Sequence, residues 1–297
     1  MVLVAKLLML TQICLVVLPL LEMKPNVSTI VSGLKLLTFQ GITVIAGDIV
    51  IATVEGEILR CDADRNITPW INIFNYGIPT GIVSYNDGLA VVLSGQESGH
   101  FLMRVTPQAQ VSLVAELSQI VGEFGAPFGV SVHKYYYPYY IVAASTDVIG
   151  SAGLVARVSP SGQVSILTRL PSSCFGIVGN YPDVESNVGD GLHPSVAHRI
   201  VVTQEDGRLL EVSLSGKVTE IVNLQEIGLG FPSGIACNQD SLAITTSTGW
   251  VVLIDSQGKL LPLINLVDVS VGEPTTITSF GNDWVVATKA GDLLRLS

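Results

Sequence analysis

Carboxylates are the main chemical resource of this chain, which carries 25 Asp and Glu against 15 Lys and Arg and a formal charge of −10. Glu97, Glu123, Asp147, Glu205, Asp206, Glu226, Asp268 and Glu273 are spread along it, with Asn75, Tyr76, Phe124 and Thr146 as polar or aromatic companions and Lys289 as the accompanying base. Brought to one rim, such groups could hold Ca2+, a hard cation that takes several oxygen ligands, or attract a cationic or polyhydroxylated ligand. Left apart, they only distribute the net charge over solvated loops. The scaffold decides between these outcomes.

Other chemistries find little material. His100, His133, His193 and His198 pair with no evident nucleophile and acid, which disfavours a Ser-His-Asp hydrolase. There is no G-x-S-x-G, no Gly-rich phosphate loop and no H-E-x-x-H. Asp183, Glu185, Asp190 and His193 fall within one long insertion but match no EF-hand or zinc spacing. Cys14, Cys61, Cys174 and Cys237 form no C-x-x-C pair and read as small buried hydrophobes. The acidic balance excludes a nucleic-acid partner, whose phosphates need clustered Lys and Arg. With 48% hydrophobic and 13% charged residues, the chain must bury most of itself.

Leu7 to Leu21 is apolar apart from Thr11 and Gln12 and follows Lys6. Residues 1–24 therefore read as a signal peptide or a membrane-anchor-like leader. A spanning helix needs about 17–25 apolar residues, and Val2 to Leu21 reaches that only by including Lys6 and Pro19. The expected location is secreted or periplasmic, with membrane contact only through an uncleaved leader.

The positioning elements appear as a repeat. Phe39-Gln40-Gly41-Ile42 recurs as Pro79-Thr80-Gly81-Ile82, Pro127-Phe128-Gly129-Val130, Cys174-Phe175-Gly176-Ile177, Pro232-Ser233-Gly234-Ile235 and a degenerate Pro274-Thr275-Thr276-Ile277. The copies lie roughly 40–50 residues apart, a propeller-like period, with one longer step where residues 180–199 are inserted. Three segments follow each marker in fixed order: an apolar run, a strand opened by a turn, and an outer strand. The apolar runs, such as Gly88-Leu89-Ala90-Val91-Val92-Leu93, do not alternate, so both of their faces are expected to be buried. Six such units predict an all-β fold over residues 26–297, a six-bladed β-propeller of four-stranded antiparallel blades. The last unit lacks its fourth strand, and Val27–Ser32 resembles the outer strands. The N-terminal segment is therefore expected to close the ring and cover the open edge.

The Pro-x-Gly-Ile marker, its apolar strand and the Gly-opened Leu-Arg or Val-Arg strand resemble the NHL-repeat and gluconolactonase-like six-bladed propellers along residues 27–297. Tyr140–Leu154 also resembles the propeller proteins of scytonemin-type pigment clusters, which are exported. The gluconolactonase resemblance implies a divalent metal held by an early Glu and by Asn or Asp in later inner strands, often as Pro-Asn-Gly. The markers here carry no Asn, and Phe39-Gln40-Gly41 offers no Glu.

Two readings follow. In the first, the protein is an exported binding or scaffold module that takes a small molecule, glycan or protein at its top face, through Glu97, Glu123, Phe124, Thr146, Asp147 and Glu273. In the second, it is a metal-dependent lactonase or hydrolase. No cofactor is expected, with Ca2+ the ion an acidic rim would suit. Tyr135, Tyr136, Tyr137 and Tyr139 are expected on the opposite face, as part of a strand or as a partner or glycan platform.

Overall fold

The computed structural model describes residues 25–34, 39–95, 99–122, 125–133, 139–146, 152–181, 199–238, 241–255 and 258–297. The leader and the 182–198 part of the insertion lie outside them. Five blades are consecutive four-stranded antiparallel meanders. Blade one is β2 (Phe39–Ile45), β3 (Asp48–Thr53), β4 (Glu57–Cys61) and β5 (Ile67–Asn72). Blade two is β6 (Ile78–Tyr85), β7 (Gly88–Gly95), β8 (Gly99–Val105) and β9 (Val111–Glu116). Blade three is β10 (Ala126–His133), β11 (Tyr139–Ser145), β12 (Gly153–Val158) and β13 (Val164–Leu170). Blade four is β14 (Cys174–Tyr181), β15 (Arg199–Gln204), β16 (Arg208–Val212) and β17 (Val218–Asn223). Blade five is β18 (Pro232–Cys237), β19 (Ser241–Thr246), β20 (Trp250–Asp255) and β21 (Leu260–Asn265). Blade six joins β22 (Pro274–Phe280), β23 (Asp283–Thr288) and β24 (Leu293–Leu296) to β1 (Val27–Val31), which pairs antiparallel with β24. The inner strands pack in sequence, and β2 meets β22, so the ring closes as the repeat requires.

The core lies between the blades. Each of the six apolar clusters draws side chains from two neighbours, as where Val50, Ala52 and Ile58 of blade one meet Leu89, Val91 and Met103 of blade two. This is why the second strands do not alternate: Val50, Ile51 and Ala52 are all fully buried. Cys61 and Cys174 belong to these clusters, and burial pushes the Cys174 thiol up to about 12, leaving it inert as a nucleophile.

Short side chains set the turns at both ends. Where third strands turn into fourth strands, Asp62, Thr106, Ser159, Ser213 and Asp255 each accept a bond from the backbone N–H four residues on, at 2.8–3.1 Å. At the other end, the Oδ1 atoms of Asn72, Asn223 and Asn265 accept from the N–H two residues on, opening the crossing to the next blade. Such Asx- and Ser/Thr-turns give the chain a local alternative to continuing a strand.

Candidate functional site

Every inner strand carries a β-bulge at the same place. The register slips between Phe39 and Gly41, Pro79 and Gly81, Pro127 and Gly129, Cys174 and Gly176, Pro232 and Gly234, and Pro274 and Thr276. A bulge leaves one residue unpaired and re-aims its side chain. The unpaired residues are the variable second members of the marker. Thr80, Phe128, Phe175, Ser233 and Thr275 line a cavity of about 410 Å3 at the channel mouth.

The next residue explains the marker's Gly. A Cβ on Gly81 would lie 3.0 Å from the Phe128 carbonyl oxygen, one on Gly129 would lie 3.1 Å from the Ile177 nitrogen, and one on Gly234 would lie 2.8 Å from the Thr276 Cα. At Gly81, Gly129 and Gly234 the glycine lets one blade's inner strand meet the next almost backbone to backbone. That contact narrows the ring and brings the bulge residues around one opening.

Phe128 and Phe175 meet edge-on, with ring centroids 6.0 Å apart. Phe231, Ser247, Glu273 and Lys289 complete the rim. Phe231 and Glu273 precede inner strands, while Ser247 and Lys289 follow second strands, so the two loop sets share one face as the repeat order predicts. The hydroxyl protons are already engaged: Thr80 donates to the Val92 carbonyl at 3.3 Å, Thr275 to that of Ala287 at 3.2 Å, and Ser233 to Thr245 Oγ1 at 3.0 Å. What these hydroxyls offer a ligand is lone pairs. Glu273 pairs with Lys289 through both side chain and backbone.

Of the residues expected to form the site, two are described, Glu273 and Thr146. Glu273 is on the rim. Thr146 is buried, with its N–H bonded to the Ala152 carbonyl at 3.0 Å, and does not line the mouth. Glu97, Glu123, Phe124 and Asp147 lie outside the described residues, as do Tyr135, Tyr136 and Tyr137. In the sequence the mouth's Thr80, Phe128, Phe175, Ser233 and Thr275 occupy the second position of the marker, the one whose residue varies most.

Among the described residues no group of three or more His, Cys, Asp or Glu side chains converges. Among the described residues the mouth supplies one carboxylate, Glu273, paired with Lys289, beside the rings of Phe128, Phe175 and Phe231. Those described groups by themselves provide fewer than the six to eight oxygens Ca2+ takes.

A separate polar knot lies at the edge of blade four. Arg208 binds Asp206 through Nε at 2.9 Å and through Nη2, and the Ser172 hydroxyl donates to the same carboxylate at 2.5 Å. Burial alone would raise the Asp206 pKa, but these bonds outweigh it and hold the carboxyl below its ordinary value. A depressed carboxylate stabilises the fold above its unfolded pKa, and that stability disappears as pH falls through the folded value. Asp206→Asn is expected to cost about 1 kcal/mol at pH 7, modest because the pair is partly solvated. The cost should shrink as pH falls below the ordinary carboxylate value of 3.8, as thermal melts at pH 7 and in increasing acid would measure.

The described exposed large apolar side chains divide unevenly. Leu113, Ile166 and Val218 stand on outer strands and Leu214 on an opposite-face turn. Phe74, Tyr76, Phe175, Ile227, Phe231, Val267 and Val269 stand on the mouth face.

No protein-family model matches the chain, and no curated protein matches it in sequence. Solved structures do match it in shape. Virginiamycin B lyase from Staphylococcus aureus superposes over 92% of this chain and 99% of its own with a TM-score of 0.61 at 13% identity. A catalytically inactive variant of that lyase, solved with quinupristin, covers 88% of this chain and 80% of its own with a TM-score of 0.59 at 13% identity. BBS1N in complex with ARL6DN covers 92% of this chain and 96% of its own with a TM-score of 0.51 at 13% identity. At such identity the likeness shows the fold alone, and the fold is a six-bladed β-propeller.

Proposed function

We propose that this chain is an exported binding module whose channel mouth takes a small organic cation with an apolar body and N–H donors. The mouth's chemistry supports this reading: phenyl faces attract cations, the hydroxyl oxygens present acceptors, and Glu273 adds a carboxylate within a chain of net −10. Export rests on the apolar leader. The solved neighbours include a lyase with quinupristin and a propeller bound to a protein partner, so this fold hosts both small-molecule and protein sites.

The observation that carries the reading is Phe175. In blade five the corresponding Ser233 satisfies Thr245 Oγ1. In blade four Phe175 stands 37% exposed, and the corresponding Thr203 Oγ1 is buried with no partner. Stability alone would favour a hydroxyl at 175, because an unsatisfied buried polar group costs about 1–3 kcal/mol. A ring kept there against the fold's interest points to recognition.

The test is saturation-transfer NMR and calorimetry with 2-phenylethylammonium, using benzyl alcohol as its uncharged counterpart. The amine is expected to bind in the millimolar range and the alcohol more weakly. Phe175→Ser should preserve or raise the melting temperature while weakening amine binding about tenfold, the scale of a lost cation–π contact with its apolar area. No amine binding, or equal binding by the variant, would refute the reading. Ca2+-dependent hydrolysis of a δ-lactone that is lost in Glu273→Gln would favour the gluconolactonase-like reading instead.

A further inference from the structure

Beyond the mouth, the loops before blades five and six form one apolar and acidic crescent. Ile227 (52% exposed) and Phe231 (39%) stand on one loop, Val267 (46%) and Val269 (42%) on the other. The turn 247–249 lies between them and is bonded to both. Ser247 N–H donates to the Phe231 carbonyl at 2.7 Å, Thr248 Oγ1 to that of Leu229 at 2.6 Å, and Leu266 N–H to that of Gly249 at 2.8 Å. The exposed side chains are thus held on a rigid frame. An exposed apolar patch rimmed by polar groups marks an interaction surface, and pre-ordering its loops reduces the entropy lost on binding.

The charge on the crescent has one sign. Residues 225–231, 247–249 and 266–273 contain Glu226, Asp268 and Glu273 and no Lys or Arg. Among the described residues, Glu273 is the one of the three with a cationic partner, Lys289. Of the four apolar residues, Phe231 alone also lines the mouth, so a ligand seated there leaves Ile227, Val267 and Val269 uncovered. A second copy of this chain would set Glu226 and Asp268 against a like-charged surface, which costs affinity. We infer that the crescent docks a polypeptide segment of another protein that carries apolar anchors flanked by Lys or Arg. This inference rests on the top face being a binding surface and names the class of partner at its outer part.

The probe is a fluorescein-labelled 16-residue Leu/Lys amphipathic peptide, with a Leu/Glu peptide of the same length as control, followed by fluorescence anisotropy. The Leu/Lys peptide is expected to bind and the Leu/Glu peptide not. Ile227→Ser combined with Val267→Ser should weaken binding at least tenfold, and so should Glu226→Lys combined with Asp268→Lys. Binding unchanged in the apolar variant would overturn the inference, because charge alone would then explain the capture. Concentration-dependent dimers by sedimentation, lost in that variant, would overturn it in favour of self-association. Neither variant alters a mouth-lining residue, so 2-phenylethylammonium binding measured on both separates failure of this inference from failure of the mouth reading.

Discussion

Removing residues 26–34 is expected to convert a closed ring into an open and unstable one. The segment supplies the outer strand of blade six, with Val27 opposite Leu296, Ser28 opposite Arg295 and Thr29 opposite Leu294. Asn26 and Ser297 exchange backbone bonds at 3.0 and 3.1 Å, and Leu34 N–H reaches the Gly291 carbonyl at 3.0 Å. Val27 packs into the cluster between blades five and six, while Ile30, Val31 and Leu34 pack into the one between blades six and one. Four half-buried apolar side chains at about 1 kcal/mol each, with the strand's ladder bonds at about 0.5–1.5 kcal/mol each, amount to at least about 5 kcal/mol. A typical domain holds only roughly 5–15 kcal/mol in all. Deletion also bares the edge of β24, whose Leu293, Leu294 and Leu296 are buried in the intact ring. The deletion variant should therefore melt more than about 10 °C lower, or elute as oligomers that satisfy the open edge with a neighbour's strand. Size-exclusion chromatography with light scattering and a thermal melt would decide it. A monomer with an unchanged melting temperature would show that the ring does not depend on this strand.

The second large effect is expected in the glycine ring, and it should be graded. A Cβ on Gly234 would lie 2.8 Å from the Cα of Thr276 and 3.1 Å from the backbone nitrogen of Ile277. Neither atom can retreat without moving blade six. Gly234→Ala is expected to cost about 2–4 kcal/mol, at or above the usual range for overpacking. At Gly41 the nearest atoms are the Ile82 Cγ1 and backbone nitrogen, both at 3.2 Å, and small shifts can accommodate them. Gly41→Ala should therefore cost about 1 kcal/mol. Urea denaturation of the two variants would measure the difference. Equal costs would mean that the close approach of inner strands is not what requires glycine here.

Much of this architecture is legible in the chain. The repeat of Gly41, Gly81, Gly129, Gly176 and Gly234, with Thr276 in the sixth copy, counts the blades, and the unbroken apolar runs identify the doubly buried strands. The likeness of Val27–Ser32 to the outer strands locates the closure. The site was less legible. Of the two expected site residues that the structure describes, Glu273 stands at the mouth and Thr146 is buried. In the sequence, Phe128 and Phe175 register only as missing metal ligands; in three dimensions they are part of the mouth itself.

The chain alone determined strand order, blade count and ring closure, because side-chain alternation and turn residues act over a few neighbouring positions and repeat, so that the missing outer strand of the last copy and its spare counterpart at the start of the chain both show. Only the tertiary structure decided which side chains meet at the axis and which stand exposed beside them. A bulge's direction depends on the pairing register, and the convergence of Thr80, Phe128, Phe175, Ser233 and Thr275 depends on backbone contact between blades far apart in sequence. The crescent of Ile227, Phe231, Val267 and Val269 likewise exists because a turn of blade five bonds to the two loops on either side of it.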